Sequence, residues 1–124
     1  MKIVYNDCFG GFGLSEAAHR RYAELAGFEL WYIEDFKIKH YFKENPNGRS
    51  LNEMYRVEGA SFYCRNLDRH DPILVQVVEE LGKKANGKYS DLKIFETSSN
   101  QYRIEDYDGS ESVQIPSSLD WITV

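Results

Sequence analysis

The chain has 124 residues, a formal net charge of −5 and a sequence pI near 5.2. With 42% hydrophobic and 28% charged residues it is long enough and apolar enough to bury one core, which sets aside disorder and predicts a single domain over residues 1–124. The acidic balance argues against direct binding to duplex nucleic acid, and 15 cations spread among 20 acids leave no dense carboxylate face for DNA mimicry.

Residues 2–5, Lys-Ile-Val-Tyr, read as a first strand closed by the glycine-rich stretch NDCFGGFGLS. Ser15 offers an N-cap hydroxyl, Glu16 an acid in the first turn and Gly27 a C-terminal stop, so residues 16–26 are predicted helical. Ala18, Tyr22, Leu25 and Ala26 share its apolar face, while His19, Arg20, Arg21 and Glu24 mostly point elsewhere. Phe28 to Ile33 reads as a strand. Residues 35–60 mix basic, aromatic and turn residues around Asn45-Pro46-Asn47-Gly48 and are expected to form a flexible excursion.

Phe62-Tyr63-Cys64 reads as a short strand leading into the polar connection RNLDRHDP. Asp71 as N-cap, Pro72 at the first helical position and an apolar stripe through Ile73, Leu74, Val77, Val78 and Leu81 predict a second helix over 72–85, stopped by Asn86-Gly87. Strands at 92–96, 102–107 and 112–115 follow, the last two joined by the hairpin signal Asp108-Gly109. The expected fold is therefore α+β: one mixed or antiparallel sheet, two main helices and a C-terminal β-meander. The final residues carry Leu119, Trp121, Ile122 and Val124, an apolar tail expected to dock on this chain or on a partner.

No apolar run approaches the roughly 20 residues of a bilayer span, and Asn6 and Asp7 interrupt the first segment, so neither a span nor a secretory signal is expected. The cytoplasm is the expected compartment, where Cys8 and Cys64 are reduced thiols. His and Cys are dispersed without a CxxC or HxxxH pair, so no metal and no cofactor is expected.

Glycines beside a helix start invite an anion, but Gly13-Leu14-Ser15 stands where a Walker loop needs Lys and Ser or Thr, and GxGxxG is absent. The candidate ligand-binding residues are Phe9, Gly10, Gly11, Phe12 and Gly13 of this loop with Arg65, Arg69 and His70 of the polar connection, since guanidinium groups clamp phosphates and carboxylates. Cys8 and His70 are the weaker candidates for nucleophile and base, with His19 as a further base. Nine tyrosines supply rigid contact surface of the kind binding proteins use.

Three stretches, NDCFGGFGLS, RHDPILVQVVEELGKKANGKYSDLKI and IEDYDG, resemble a group of small proteins encoded in bacteriophages, prophages and gut bacteria. The resemblance covers about half of the chain and fades across residues 35–60 and after Gly109. It carries over no catalytic residue. It implies a viral or mobile-element origin and an accessory protein of the host cytoplasm. Such a protein would antagonise anti-phage defence by binding a host protein or by sequestering an anionic, nucleotide-like ligand. Two alternatives are a small enzyme acting on a nucleotide-type substrate through Cys8 or His70, and a homo-oligomeric structural or regulatory module whose tail completes a neighbour's sheet.

Overall fold

The computed structural model describes residues 1–116, and the apolar tail at 119–124 lies outside them. The elements are β1 (Lys2–Asn6), α1 (Glu16–Ala26), β2 (Trp31–Asp35), β3 (Ile38–Phe42), α2 (Leu51–Tyr55), α3 (Pro72–Leu81), β4 (Leu92–Glu96), β5 (Arg103–Tyr107) and β6 (Ser110–Gln114), with 3-10 turns at Cys64–Asn66 and Gly82–Ala85. The α+β class is as expected. Among the described residues no helix is long and apolar enough to cross a membrane.

Helix α1 begins where the Ser15 hydroxyl accepts the Ala18 N–H at 3.1 Å, and it ends at Gly27, whose φ of +83° is the left-handed stop expected there. Helix α3 begins at Asp71, which accepts the Ile73 N–H at 2.8 Å and, through its other oxygen, the Tyr22 hydroxyl at 2.6 Å. One carboxylate thus caps α3 and ties it to α1. Burial first, then Asp71, pushes the Tyr22 hydroxyl far above the usual phenol range.

The second helix is shorter than the expected 72–85. Gly82 takes φ +56° and ψ −128°, a conformation open in practice only to glycine, and the chain continues as a 3-10 turn. The turn aims its carbonyls at the start of α1: Ser15 donates its hydroxyl to the Lys84 oxygen at 2.6 Å and its N–H to the Ala85 oxygen at 2.9 Å.

Among the described residues the strands form three two-stranded antiparallel ladders, β1–β4, β2–β3 and β5–β6, rather than the single sheet and C-terminal meander expected. In β1–β4, Lys2 faces Glu96 and Asn6 faces Leu92. The other edge of β1 is closed by a loop carbonyl and a side chain of β6. Val4 donates to the Arg69 carbonyl at 2.8 Å and Asn6 donates to the Glu111 carboxylate at 2.9 Å. With those donors taken, β6 packs beside β1 without extending its ladder. Phe62-Tyr63-Cys64 is likewise no strand, because only Ser61 bridges to Phe42 and residues from Cys64 wind into the 3-10 turn.

The main core joins Val4, Ala18, Leu74 and Val77, all fully buried, with Phe12, Phe62 and Tyr22. Removing a side chain such as Leu74 from such a core costs about 2–5 kcal/mol. Residues 35–60 carry β3 and α2 and pack a second core of Phe42, Met54 and Ala60 against Ile33, Leu51 and Val57. The β2–β3 turn places Phe36 and Lys37 at φ +49° and +65°, so two non-glycine residues adopt the left-handed pair that matches strand twist in a tight hairpin.

Candidate functional site

Asn6 organises the glycine loop. It is fully buried and satisfied: its amide donates to the Cys8 and Gly109 carbonyls, each at 2.8 Å, and its oxygen accepts the Asp91 N–H at 2.8 Å. The loop is held between the β5–β6 turn and residues 87–90. A Cβ on Gly10 would lie 1.7 Å from the Tyr89 oxygen, and one on Gly109 2.5 Å from the Phe9 oxygen. Both glycines are needed for close backbone approach. The two phenylalanines then part company, Phe12 entering the core at 4% exposure and Phe9 standing out at 67%.

Six of the candidate residues, Phe9, Gly10, Gly11, Phe12, Arg65 and Arg69, line one cleft of about 350 Å³. Its charge is not that of an anion site, because Asp106, Asp108 and Glu111 line it too. Arg69 is committed to the fold: it grips Glu111 with two hydrogen bonds, at 2.5 and 2.9 Å, and lies over the Phe12 ring at 3.7 Å. Arg65 spends its Nε on the Phe12 carbonyl at 3.2 Å. His70 lines neither this cleft nor the larger groove beside it and meets the Tyr102 hydroxyl at 2.7 Å.

Gly13 and Arg65 also border a larger groove of about 780 Å³. Its walls come from the β2–β3 turn and β3, Tyr55 of α2, residues 62–65, the start of α1, and residues 86–89. Among the described residues Lys37, Lys39, Arg65 and Lys88 line it against Glu16 and Glu34, a local excess of positive charge on a chain whose net charge is −5. Lys39 pairs with Glu16 at 2.6 Å, which, with Arg20, holds that carboxyl below its usual range. Lys88 lies over the Tyr89 ring at 5.4 Å.

Aromatic faces line the same groove. Tyr55 and Tyr63 stack with ring planes 4° apart and centroids at 6.2 Å, and 38% and 49% of their surfaces remain exposed. The Tyr55 hydroxyl meets His40 Nδ1 at 2.5 Å, and burial, then Tyr63, pushes it up to about 12. His19, expected off the apolar face of α1, is instead 6% exposed and stacks on Tyr41 at 3.9 Å. Burial lowers its pKa, and burial raises that of the Cys64 thiol on the same wall.

Cys8 and Cys64 are free thiols. Cys8 points its Sγ at the Tyr89 carbonyl, 3.1 Å away, and among the described residues no hydrogen bond joins it to His70 or His19. No three His, Cys, Asp or Glu side chains gather around one point among those residues. Sequence reasoning missed Lys37, Lys39, Tyr55, Tyr63 and Lys88 as neighbours in one groove. The abundance of tyrosine was the available signal, and it carries no position. Comparison with protein-family models, curated proteins and solved structures finds no match to the chain.

Proposed function

We propose that the chain is a binding protein whose groove holds a small anionic, aromatic ligand of nucleotide type. The supporting observation is the groove's composition: four cations against two carboxylates, interleaved with the exposed faces of Tyr55, Tyr63 and Tyr89. A positive concavity on an acidic protein concentrates anions locally and leaves the remaining surface repellent to polyanions. Its volume of about 780 Å³ falls in the range that small-molecule sites occupy. Stacking a base on an aromatic face contributes about 1–3 kcal/mol, and a charge-assisted hydrogen bond to phosphate about 1.5–3 kcal/mol. Arg65, with its Nε fixed on Phe12, leaves its terminal nitrogens for such a bond. The resemblance to phage-encoded proteins supports sequestration of a host nucleotide signal as the use of this site.

A second reading, binding to a host protein, is favoured by the β2–β3 tip, where Phe36 is 92% and Ile38 60% exposed. An exposed aromatic held at positive φ is the kind of costly local conformation that contact sites retain. Mass spectrometry of small molecules released by heat from natively purified protein, followed by calorimetric titration with a nucleotide panel, separates the two. A bound nucleotide and saturable heat support the groove. No released nucleotide and no heat at millimolar concentration refute it. A pull-down lost on Phe36→Asp alone then favours the protein partner.

A further inference from the structure

Beside its cations and the Glu16 and Glu34 carboxylates, the groove contains an uncharged acceptor of fixed orientation. His19 Nδ1 lies 2.9 Å from the Ser15 carbonyl oxygen, and a carbonyl can only accept, so the neutral ring carries its proton on Nδ1. Nε2 is therefore a bare lone pair. Among the described residues it has no hydrogen-bond partner, yet no buried side-chain nitrogen or oxygen there lacks one, so Nε2 is open to solvent. The space beside His19 is the groove. The ring cannot easily turn away, since it is stacked on Tyr41 with planes 11° apart and meets the Phe62 ring edge-on at 5.8 Å.

Lys37, Arg65 and Lys88 offer only N–H donors, which phosphate or carboxylate oxygens satisfy. Those oxygens, deprotonated, cannot satisfy the neutral His19 ring, because both sides would present lone pairs. We infer that the ligand presents a hydrogen-bond donor, an exocyclic N–H or a sugar O–H, to His19 Nε2, and that His19 is the residue by which the groove tells such a ligand from an analogue lacking that donor. The inference rests on the groove being the binding site. Its physical basis is the cost of covering Nε2 with a group that cannot donate, which corresponds to about 10- to 100-fold in affinity.

The test is calorimetric titration of the full chain with adenosine 5′-monophosphate, its N6,N6-dimethyl analogue and its 2′,3′-dideoxy analogue, in the wild type, His19→Gln and His19→Phe. Gln keeps an acceptor near the Nε2 position, and Phe keeps the stack without one. One analogue is expected to bind the wild type about 10- to 100-fold more weakly than the parent, identifying the donor as amine or hydroxyl. That difference should persist in His19→Gln and vanish in His19→Phe. Equal binding of all three probes to the wild type, or a penalty that survives in His19→Phe, overturns the role of His19 and leaves the groove standing. Absence of binding by every probe overturns the groove reading itself. Nitrogen NMR of the wild-type imidazole checks the premise independently of any variant: Nε2 is expected as the unprotonated nitrogen, and a proton found there refutes the inference.

Discussion

Arg69→Met isolates the contact that fastens the β5–β6 hairpin to the body of the protein. In the native structure Arg69 and Glu111 retain 14% and 4% side-chain exposure, and the guanidinium supplies two hydrogen bonds to the carboxylate. Without it, Glu111 keeps a single donor among the described residues, the Asn6 N–H at 2.9 Å, and its charge stays buried. Orphaning one member of such a pair costs about 3–5 kcal/mol, and losing the cation over Phe12 adds about 1 kcal/mol, part of which the methionine thioether returns. The expected loss is about 4 kcal/mol, a large fraction of the roughly 5–15 kcal/mol that stabilises a domain of this kind. With a urea dependence of about 1.5 kcal/mol per molar, the unfolding midpoint should fall by about 2.7 M. Adding Glu111→Gln removes the buried charge and keeps an acceptor for Asn6, so the double variant should recover roughly half of the loss. A cost below about 1 kcal/mol for Arg69→Met, as for a surface pair, or a double variant no more stable than the single one, would refute the reasoning.

Gly10→Ala should destabilise by about 3 kcal/mol in the same urea assay, because its Cβ would strike the Tyr89 carbonyl, whereas Gly13→Ala, with open space around it, should stay within about 0.5 kcal/mol. Ser15→Ala removes both the Ala18 cap and the bond to Lys84, and should lower stability by about 1–2 kcal/mol with α1 fraying in far-ultraviolet circular dichroism. Burial lowers the pKa of His19 from 6.5, so the unfolded chain takes up its proton first. Its contribution is complete above pH 6.5 and declines as pH falls below that value, a limb that His19→Phe should flatten in midpoints measured between pH 7 and pH 5. Carboxyls with lowered pKa values, Glu80 at about 2 foremost, lose their contribution only below their unfolded value of 4.5, so the two limbs are separable.

Local signals made the helices legible and non-local ones hid the sheets. Ser15, Gly27, Asp71 and Pro72 act within a few residues of themselves and mark the helix ends where the structure has them, and Asp108-Gly109 forms its hairpin turn as the residue types demand. The end of α3 is not legible, because Gly82 and Gly87 can each stop a helix and the contacts of Lys84 and Ala85 with Ser15 select the earlier one. The β2–β3 turn carries no turn signal, since Phe36 and Lys37 are residues that avoid positive φ. The pairing of β1 with β4 joins segments about ninety residues apart, and the closure of the free edge of β1 by a side chain has no sequence pattern. In the site, the meeting of the glycine loop with Arg65 and Arg69 was foreseeable from residue type. The carboxylates that neutralise that cleft arrive from β5, β6 and the turn between them, and the larger groove depends on residues 35–60, where no periodicity guides a reading.

Chemical-shift mapping of the backbone amides during titration with adenosine 5′-monophosphate tests the central claim most directly. The groove account predicts saturable shifts concentrated at Gly13, Tyr63, Arg65, Lys88 and Tyr89, with His70 and Tyr102 unmoved, and loss of saturation on combining Arg65→Ala with Lys88→Ala. Shifts centred on the cleft around Asp106 and Asp108, or a spectrum that does not respond, would contradict it.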